Sequence, residues 1–153
     1  MDSYREIENL IYTYAELVDA GDLEGMAVLF SHAELFGSDG KAVARGSEDF
    51  FAVQRQAIKI YEETGTPLTK HVTTNVIIEV DESASAATAR SYFTVFQSAE
   101  GISLQPIIAG RYKDSFECVG GKWRFRQRQV IPELFGDLSK HLLYDLSESF
   151  RGS

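Results

Sequence analysis

The chain has 153 residues, of which 44% are apolar and 25% charged, with 15 Lys and Arg against 23 Asp and Glu and a formal net charge of −8. A chain of this length buries about 68–70% of its unfolded surface, so it reads as one ordinary globular domain and not as a collagen-like, disordered or cysteine-framework chain. The acidic balance repels phosphate backbones and no run approaches the roughly 20 apolar residues of a membrane helix, so neither nucleic acid nor membrane is an expected partner.

Ser3 with Glu6 matches a capping box, and Ile7, Leu10, Ile11, Tyr14, Leu17 and Val18 recur at helical spacing, which predicts an N-terminal helix ended by Gly21. Asp22 is placed to cap a second, short helix carrying Leu23, Met26, Ala27 and Phe30 inward. Residues 33–36 and 41–44 flank the turn-forming cluster Gly37, Ser38, Asp39, Gly40 and predict a small hairpin. Ser47 opens a third helix that runs to about Glu63, before Gly65 and Pro67. From Leu68 the period changes to two: residues 68–80, 84–97, 102–118 and 122–131 are strands joined by hairpin-length connections. Strands this long twist, bend or bulge around something, so the expected class is α+β, with N-terminal helices packed on a strongly curved antiparallel sheet. Residues 138–150 carry Leu142, Leu143, Leu146 and Phe150 at helical spacing. The expected organisation is therefore a main domain over 1–135 and a tail over 136–153 that forms a capping or interface helix.

An acidic first thirty residues without a basic start or apolar block, together with a lone Cys118, lead to the expectation of a cytoplasmic protein. Cys118 reads as a small buried apolar residue, and His32 and His141 are expected at the surface.

Four positions suit chemistry. Asp19 ends the first helix, where the dipole disfavours a carboxylate and calls for another partner. His71 starts the first long strand and by simple alternation shares a side with Thr73, Asn75 and Ile77. An imidazole whose tautomer is fixed by a carboxylate, with no nucleophile beside it, fits proton abstraction in an elimination or isomerisation. Tyr14 is suited to polarising a substrate oxygen, and Arg128 to stabilising developing negative charge. Strict alternation puts Arg128 with Arg124 and Arg126, opposite Trp123 and Phe125, and a bulge after Phe125 would reverse this. The aromatic set, including Phe36, Phe51, Tyr92 and Tyr112, is mainly core, with part of it walling an apolar cavity.

The opening Ile7 to Ile11 continuing to Val18 to Asp22, the run Lys70 to Asn75, and Gly110–Arg111–Tyr112–Lys113–Asp114 followed by Gly121–Lys122–Trp123–Arg124–Phe125 and Arg128 resemble the SnoaL-like branch of the nuclear transport factor 2-like superfamily. Within it the chain is most similar to the scytalone dehydratase, bile-acid dehydratase and hexachlorocyclohexane dehydrochlorinase group. The resemblance implies a cone with one deep pocket, an Asp-His base dyad at Asp19 and His71, a Tyr-x4-Asp pair at Tyr14 and Asp19, and a last-strand arginine at Arg128. It implies a cofactor-independent, metal-free lyase or isomerase, and a homodimer or higher homo-oligomer, acting on a small cyclic, largely apolar molecule. Phe36, Phe51, Tyr92, Thr94 and Tyr112 are the expected substrate contacts. One departure stands out: where the dehydratases carry a second His or an Asp on the strand after the histidine, this chain has Tyr92, Phe93, Thr94, Val95 and Phe96. Tyr92, Thr94 or water then has to protonate the leaving group. The same resemblance leaves two other readings: an accessory subunit similar to the small subunit of ring-hydroxylating dioxygenases, and a polyketide-cyclase-like enzyme.

Overall fold

Helix α1 (Ser3–Asp19) starts one residue earlier than the capping-box pattern implies, because Asp2 is the N-cap and its Oδ1 accepts the Arg5 amide at 2.8 Å. Glu6 is freed from a capping role and its carboxylate takes the Trp123 amide at 3.0 Å, tying the helix to the far end of the sheet. The helix buries Ile7, Ile11, Tyr14, Ala15 and Val18 as one stripe. It stops where Gly21, at φ 72°, lets the Gly21 and Asp22 amides turn back onto the Val18 and Leu17 carbonyls. Asp22 then caps α2 (Leu23–Leu29), its Oδ1 accepting the Gly25 amide at 2.8 Å.

The computed structural model describes residues 2–144. After the hairpin β1 (Glu34–Phe36) and β2 (Ala42–Arg45) comes α3 (Gly46–Ala57), which ends well before the expected Glu63. The reason is competition for backbone groups. Ile58 takes an extended conformation, φ −101° and ψ 130°, and bridges Leu142, while Tyr61 turns onto Thr66. The four long strands are β3 (Thr69–Asp81), β4 (Ala86–Ala99), β5 (Ile102–Val119) and β6 (Lys122–Phe135). The sheet order is β2-β1-β6-β5-β4-β3. Every pairing is antiparallel except β1 with β6, which is parallel, so the sheet is mixed rather than wholly antiparallel. The three helices pack on this curled, unclosed sheet in the α+β arrangement that the sequence predicts.

Bulges curl the sheet and re-aim side chains. In β3 the register shifts between Thr74 and Ile77, with Asn75 at φ 53°. Beyond the shift, Val76, Ile78 and Val80 pack on the core and Ile77 is 46% exposed, so Ile77 does not share the side of His71 as simple alternation implied. In β6 a second irregularity leaves Arg126 without a partner, between the pairs Phe116 with Phe125 and Ser115 with Gln127. The core centres on Phe30, which stacks on Phe50 at 4.4 Å and on Phe125 at 4.7 Å. Each such buried ring contributes about 1.5–3 kcal/mol over an exposed one.

After β6 the chain doubles back over the open side of the sheet. The Gly136 amide donates to the Ile107 carbonyl, and the Leu143 amide donates to the Ala57 carbonyl at 2.8 Å. Residues 138–144 are held in turns by these bonds, while Leu146 and Phe150 of the expected tail helix lie outside the described residues. No helix among the described residues is long and apolar enough to cross a membrane.

Gly21 positions the site, because a Cβ there would stand 2.2 Å from the Gly65 carbonyl oxygen in the turn leading to β3. Gly21→Ala combines that overlap with left-handed strain and is expected to destabilise by about 2 kcal/mol or more in urea unfolding. Gly40→Ala, at φ +78° with nothing within 4 Å of a new Cβ, is expected to cost only the strain, about 1 kcal/mol.

Candidate functional site

Asp19 is the last residue of α1, so its carboxylate faces the negative end of the helix dipole. Three donors from the start of β3 compensate. Thr69 Oγ1 donates to Oδ1 at 2.9 Å, the His71 amide donates to Oδ2 at 2.8 Å, and His71 Nδ1 lies 2.7 Å from Oδ1. Burial by itself raises the Asp19 pKa, but the hydrogen bonds and charge of His71 outweigh it and hold the carboxyl below its ordinary 3.8. An ionised carboxylate at Nδ1 requires the proton on that nitrogen, which leaves the Nε2 lone pair of the neutral ring free to accept a proton.

His71 forms part of the wall of a cavity of about 360 Å³ beneath the C-terminal turns, a volume typical of small-molecule sites. Most of the lining is apolar or aromatic: Val18, Leu35, Phe36, Phe93, Val95, Ile108, Tyr112 and Val130, with Tyr14 beside them. Leu138, His141 and Leu142 enter from the C-terminal segment. His141 is the main departure from expectation. Instead of lying at the surface it is 6% exposed, with its ring centroid 6.1 Å from that of His71. Burial, aided by the nearby His71 and opposed by Asp19, pushes its pKa down to about 4. His32 is exposed as expected, and Cys118 is free and half-buried.

Arg128 is turned inward by the irregularity at Arg126 and is fully buried, which overturns its placement by strict alternation with Arg124. It does not reach the cavity. Asp114 binds it through two parallel bonds, Nε to Oδ1 at 2.8 Å and Nη2 to Oδ2 at 2.9 Å. Its guanidinium carbon lies 3.7 Å from the centroid of the Tyr112 ring and 4.3 Å from that of Tyr14. Burial opposes its charge, but the Asp114 carboxylate more than offsets this and raises the Arg128 pKa above its ordinary range. Burial likewise raises the Tyr14 and Tyr112 phenols, so both stay protonated as donors. The ion pair thus backs the two tyrosines that face the cavity.

Of the expected substrate contacts, Phe36 and Tyr112 line the cavity together with Tyr14 and His71. Tyr92, Thr94 and Phe51 do not. On β4 the core-facing set is Ser91, Phe93, Val95 and Gln97, which leaves Tyr92, 51% exposed, and Thr94 on the outer face. Phe51 lines a larger, shallower depression of about 670 Å³ outside the cavity, with Gly21, Arg55 and Tyr61, where neither Asp19 nor His71 reaches. Sequence reading missed Asp114 and His141. Asp114 had a signal, since it alternates with Tyr112 and Phe116 on an inward, aromatic side of β5. For His141 there was none. Among the described residues no group of three or more His, Cys, Asp or Glu is arranged to hold a metal ion.

The profile of the SnoaL-like domain family matches residues 1–129. No curated protein matches in sequence. Among solved structures, an NTF2-like protein with a cystatin-like fold from Novosphingobium aromaticivorans superposes with a TM-score of 0.68 at 21% identity, over 84% of this chain and 80% of its own. A candidate scytalone dehydratase from Novosphingobium aromaticivorans DSM 12444 gives 0.67 at 24% identity, over 88% and 86%. LinA gives 0.67 at 21% identity, over 90% of each chain. At these identities the likeness is one of fold.

The depressed pKa of His141 makes stability pH-dependent with a definite sign. The unfolded chain takes up the proton first, near the ordinary 6.5, so the stabilisation is complete above that value and is lost as pH falls toward 4. The loss amounts to up to about 3 kcal/mol at the acid end of the window. Asp19 adds a further loss only below its ordinary 3.8. Urea midpoints measured across pH 4–7 are expected to fall with acidification, and His141→Phe is expected to flatten that slope.

Proposed function

We propose, from the premise that this chain belongs to the SnoaL-like domain family, that it is a cofactor-independent lyase or isomerase which removes a proton from a small, cyclic, largely apolar substrate. The observation that carries the reading is the 2.7 Å contact between Asp19 Oδ1 and the Nδ1 of His71, a residue that lines an apolar cavity. Among the described residues that line the cavity, no other nitrogen base is hydrogen-bonded to a carboxylate that supports the charge it gains.

In this reading His71 Nε2 takes the proton from a ring carbon activated by a neighbouring group. Asp19 keeps the imidazole in the productive tautomer and stabilises the imidazolium, and Thr69 keeps Asp19 in place. Tyr14, a buried phenol on the cavity wall, donates a hydrogen bond to a substrate oxygen. Arg128 acts at one remove: paired with Asp114 and stacked on Tyr14 and Tyr112, it positions the phenols rather than touching the leaving group. The electron pair released at carbon then expels a hydroxyl or halide, or relocates to a position that is reprotonated. A hydroxyl leaves as water with the proton held by His71, and a halide leaves as the anion. Phe36, Phe93 and Val95 exclude water from the developing charge.

Incubation with a panel of hydroxylated and halogenated ring compounds, followed by mass spectrometry, is expected to reveal loss of water or of hydrogen halide, or an isomer of unchanged mass. For whichever compound reacts, His71→Ala is expected to lower turnover by about 10²–10⁴-fold, with Asp19→Asn similarly impaired. Turnover unchanged in His71→Ala refutes the mechanism.

A further inference from the structure

We propose that His141 is a second catalytic residue of the cavity: its imidazole donates a hydrogen bond to the substrate's carbonyl oxygen, and stabilises the negative charge that develops there when His71 removes the adjacent proton. The proposal rests on the acid-base reading above and narrows the substrate class to ring compounds carrying a carbonyl beside the carbon that loses the proton.

Three structural observations lead there. The first is placement, because His141 lines the same cavity as His71 with the rings edge-on at 63° and 6.1 Å between centroids, close enough for one small molecule to touch both. The second is an unmet need. His141 is 6% exposed and its Nδ1 has no hydrogen-bond partner among the described residues, an arrangement that ordinarily costs about 1–3 kcal/mol. Nδ1 is closed off by the surrounding protein, so the ring nitrogen left to meet a ligand in the cavity is Nε2.

The third is rigidity. The backbone that carries the ring is pinned from several elements. The Lys59 amide donates to the His141 carbonyl at 2.8 Å, and the His141 amide donates to the Leu138 carbonyl at 3.1 Å. Gln97 Nε2, on the buried side of β4, donates to the Lys140 carbonyl at 3.0 Å, and the Tyr61 hydroxyl donates to that same carbonyl. A donor fixed in advance stabilises developing charge without reorganising at the moment of reaction.

Burial supplies the matching protonation state. With its pKa pushed down to about 4, His141 is a neutral imidazole near pH 7 and offers one N–H. The groups that act on it are His71 of β3, which disfavours its charge, and Asp19 of α1, which favours it. The inward side of β4 supplies only Phe93 and Val95 to this cavity, so the C-terminal segment provides a polar group that β4 does not.

The step balances. The C–H electron pair forms the carbon–carbon double bond of an enolate while the carbonyl π pair moves onto oxygen; His71 holds the proton, and His141 keeps its own. Collapse of the enolate either expels a β-hydroxyl, which takes the proton from His71 and leaves as water, or returns the proton to another ring carbon. Tyr14 is left for the departing group.

The test uses phenols as stand-ins for the enolate oxygen. The full-length chain, with 15N-labelled histidine, is titrated with 2-naphthol and ring-substituted phenols of graded acidity. The wild type is expected to bind the more acidic phenols more tightly and to shift a His141 ring nitrogen resonance. His141→Phe is expected to bind about 10–100-fold more weakly and to lose the dependence on acidity, whereas His141→Gln, which keeps an N–H, retains part of both. His71→Gln is expected to keep the acidity dependence. No phenol binding by the wild type, an unmoved His141 resonance, or an acidity dependence that follows His71 instead of His141 overturns the proposal. If His141→Phe fails to fold, the wild-type resonance decides. Exchange of the α-protons of 2-tetralone into heavy water tests the base separately: exchange that persists in His71→Gln breaks the acid-base reading whatever the phenols show.

Discussion

A carboxylate at the C-terminal end of a helix is in an unfavourable field, and the way this chain satisfies Asp19 organises much of what lies around it. All three of its donors come from Thr69 and His71, so the end of α1 and the start of β3 are held in one register. Two of the three bonds fix backbone and tautomer rather than simply adding affinity: the His71 amide sets where the strand begins, and Nδ1 sets which ring nitrogen stays bare. The glycine that ends the helix belongs to the same arrangement, since its missing Cβ is what admits the Gly65 carbonyl and lets the chain return to Asp19.

A second buried charge pair does related work from behind. Arg128 and Asp114 lie wholly within the core, and a pair so placed is retained at a desolvation cost that packing alone would not incur. Its contacts indicate what it contributes, because the guanidinium is sandwiched against Tyr14 and Tyr112 and so fixes the two phenols that face the cavity. The irregularity at Arg126 is the device that turns the arginine inward. The cavity is thus bounded by a dyad on one side, a supported tyrosine pair on another, and the pinned C-terminal turns above.

Much of this was legible in the sequence, for identifiable reasons. The helices announce themselves through Asp22, Gly21 and a clear apolar stripe, and the long strands through a change of period at Leu68. Asp19 and His71 stood out because an acid at a helix end and an imidazole at a strand start are both unusual, and the resemblance paired them. The end of α3 was not legible, because residues near Ile58 yield to a bridge from Leu142, far along the chain. Strand facing was legible only between bulges: Arg128 and Ile77 each lie beyond one, so counting by twos inverted them. Tyr92 and Thr94 were misplaced for another reason: both sides of β4 mix polar and aromatic residues, with Ser91 and Gln97 on the inward side and Tyr92 and Phe96 on the outer one, so hydropathy does not say which side faces inward. His141 sits in turns without periodicity, where only tertiary contacts decide burial.

The central claim is that Asp19 fixes His71 with its proton on Nδ1 and its lone pair on Nε2. Nitrogen-15 spectra of the histidine-labelled chain, recorded where the imidazole of His71 is neutral, report that tautomer directly. The account expects the Nδ1–H form in the wild type and its loss in Asp19→Asn. A His71 ring protonated on Nε2, or one whose tautomer ignores the change at Asp19, would contradict it.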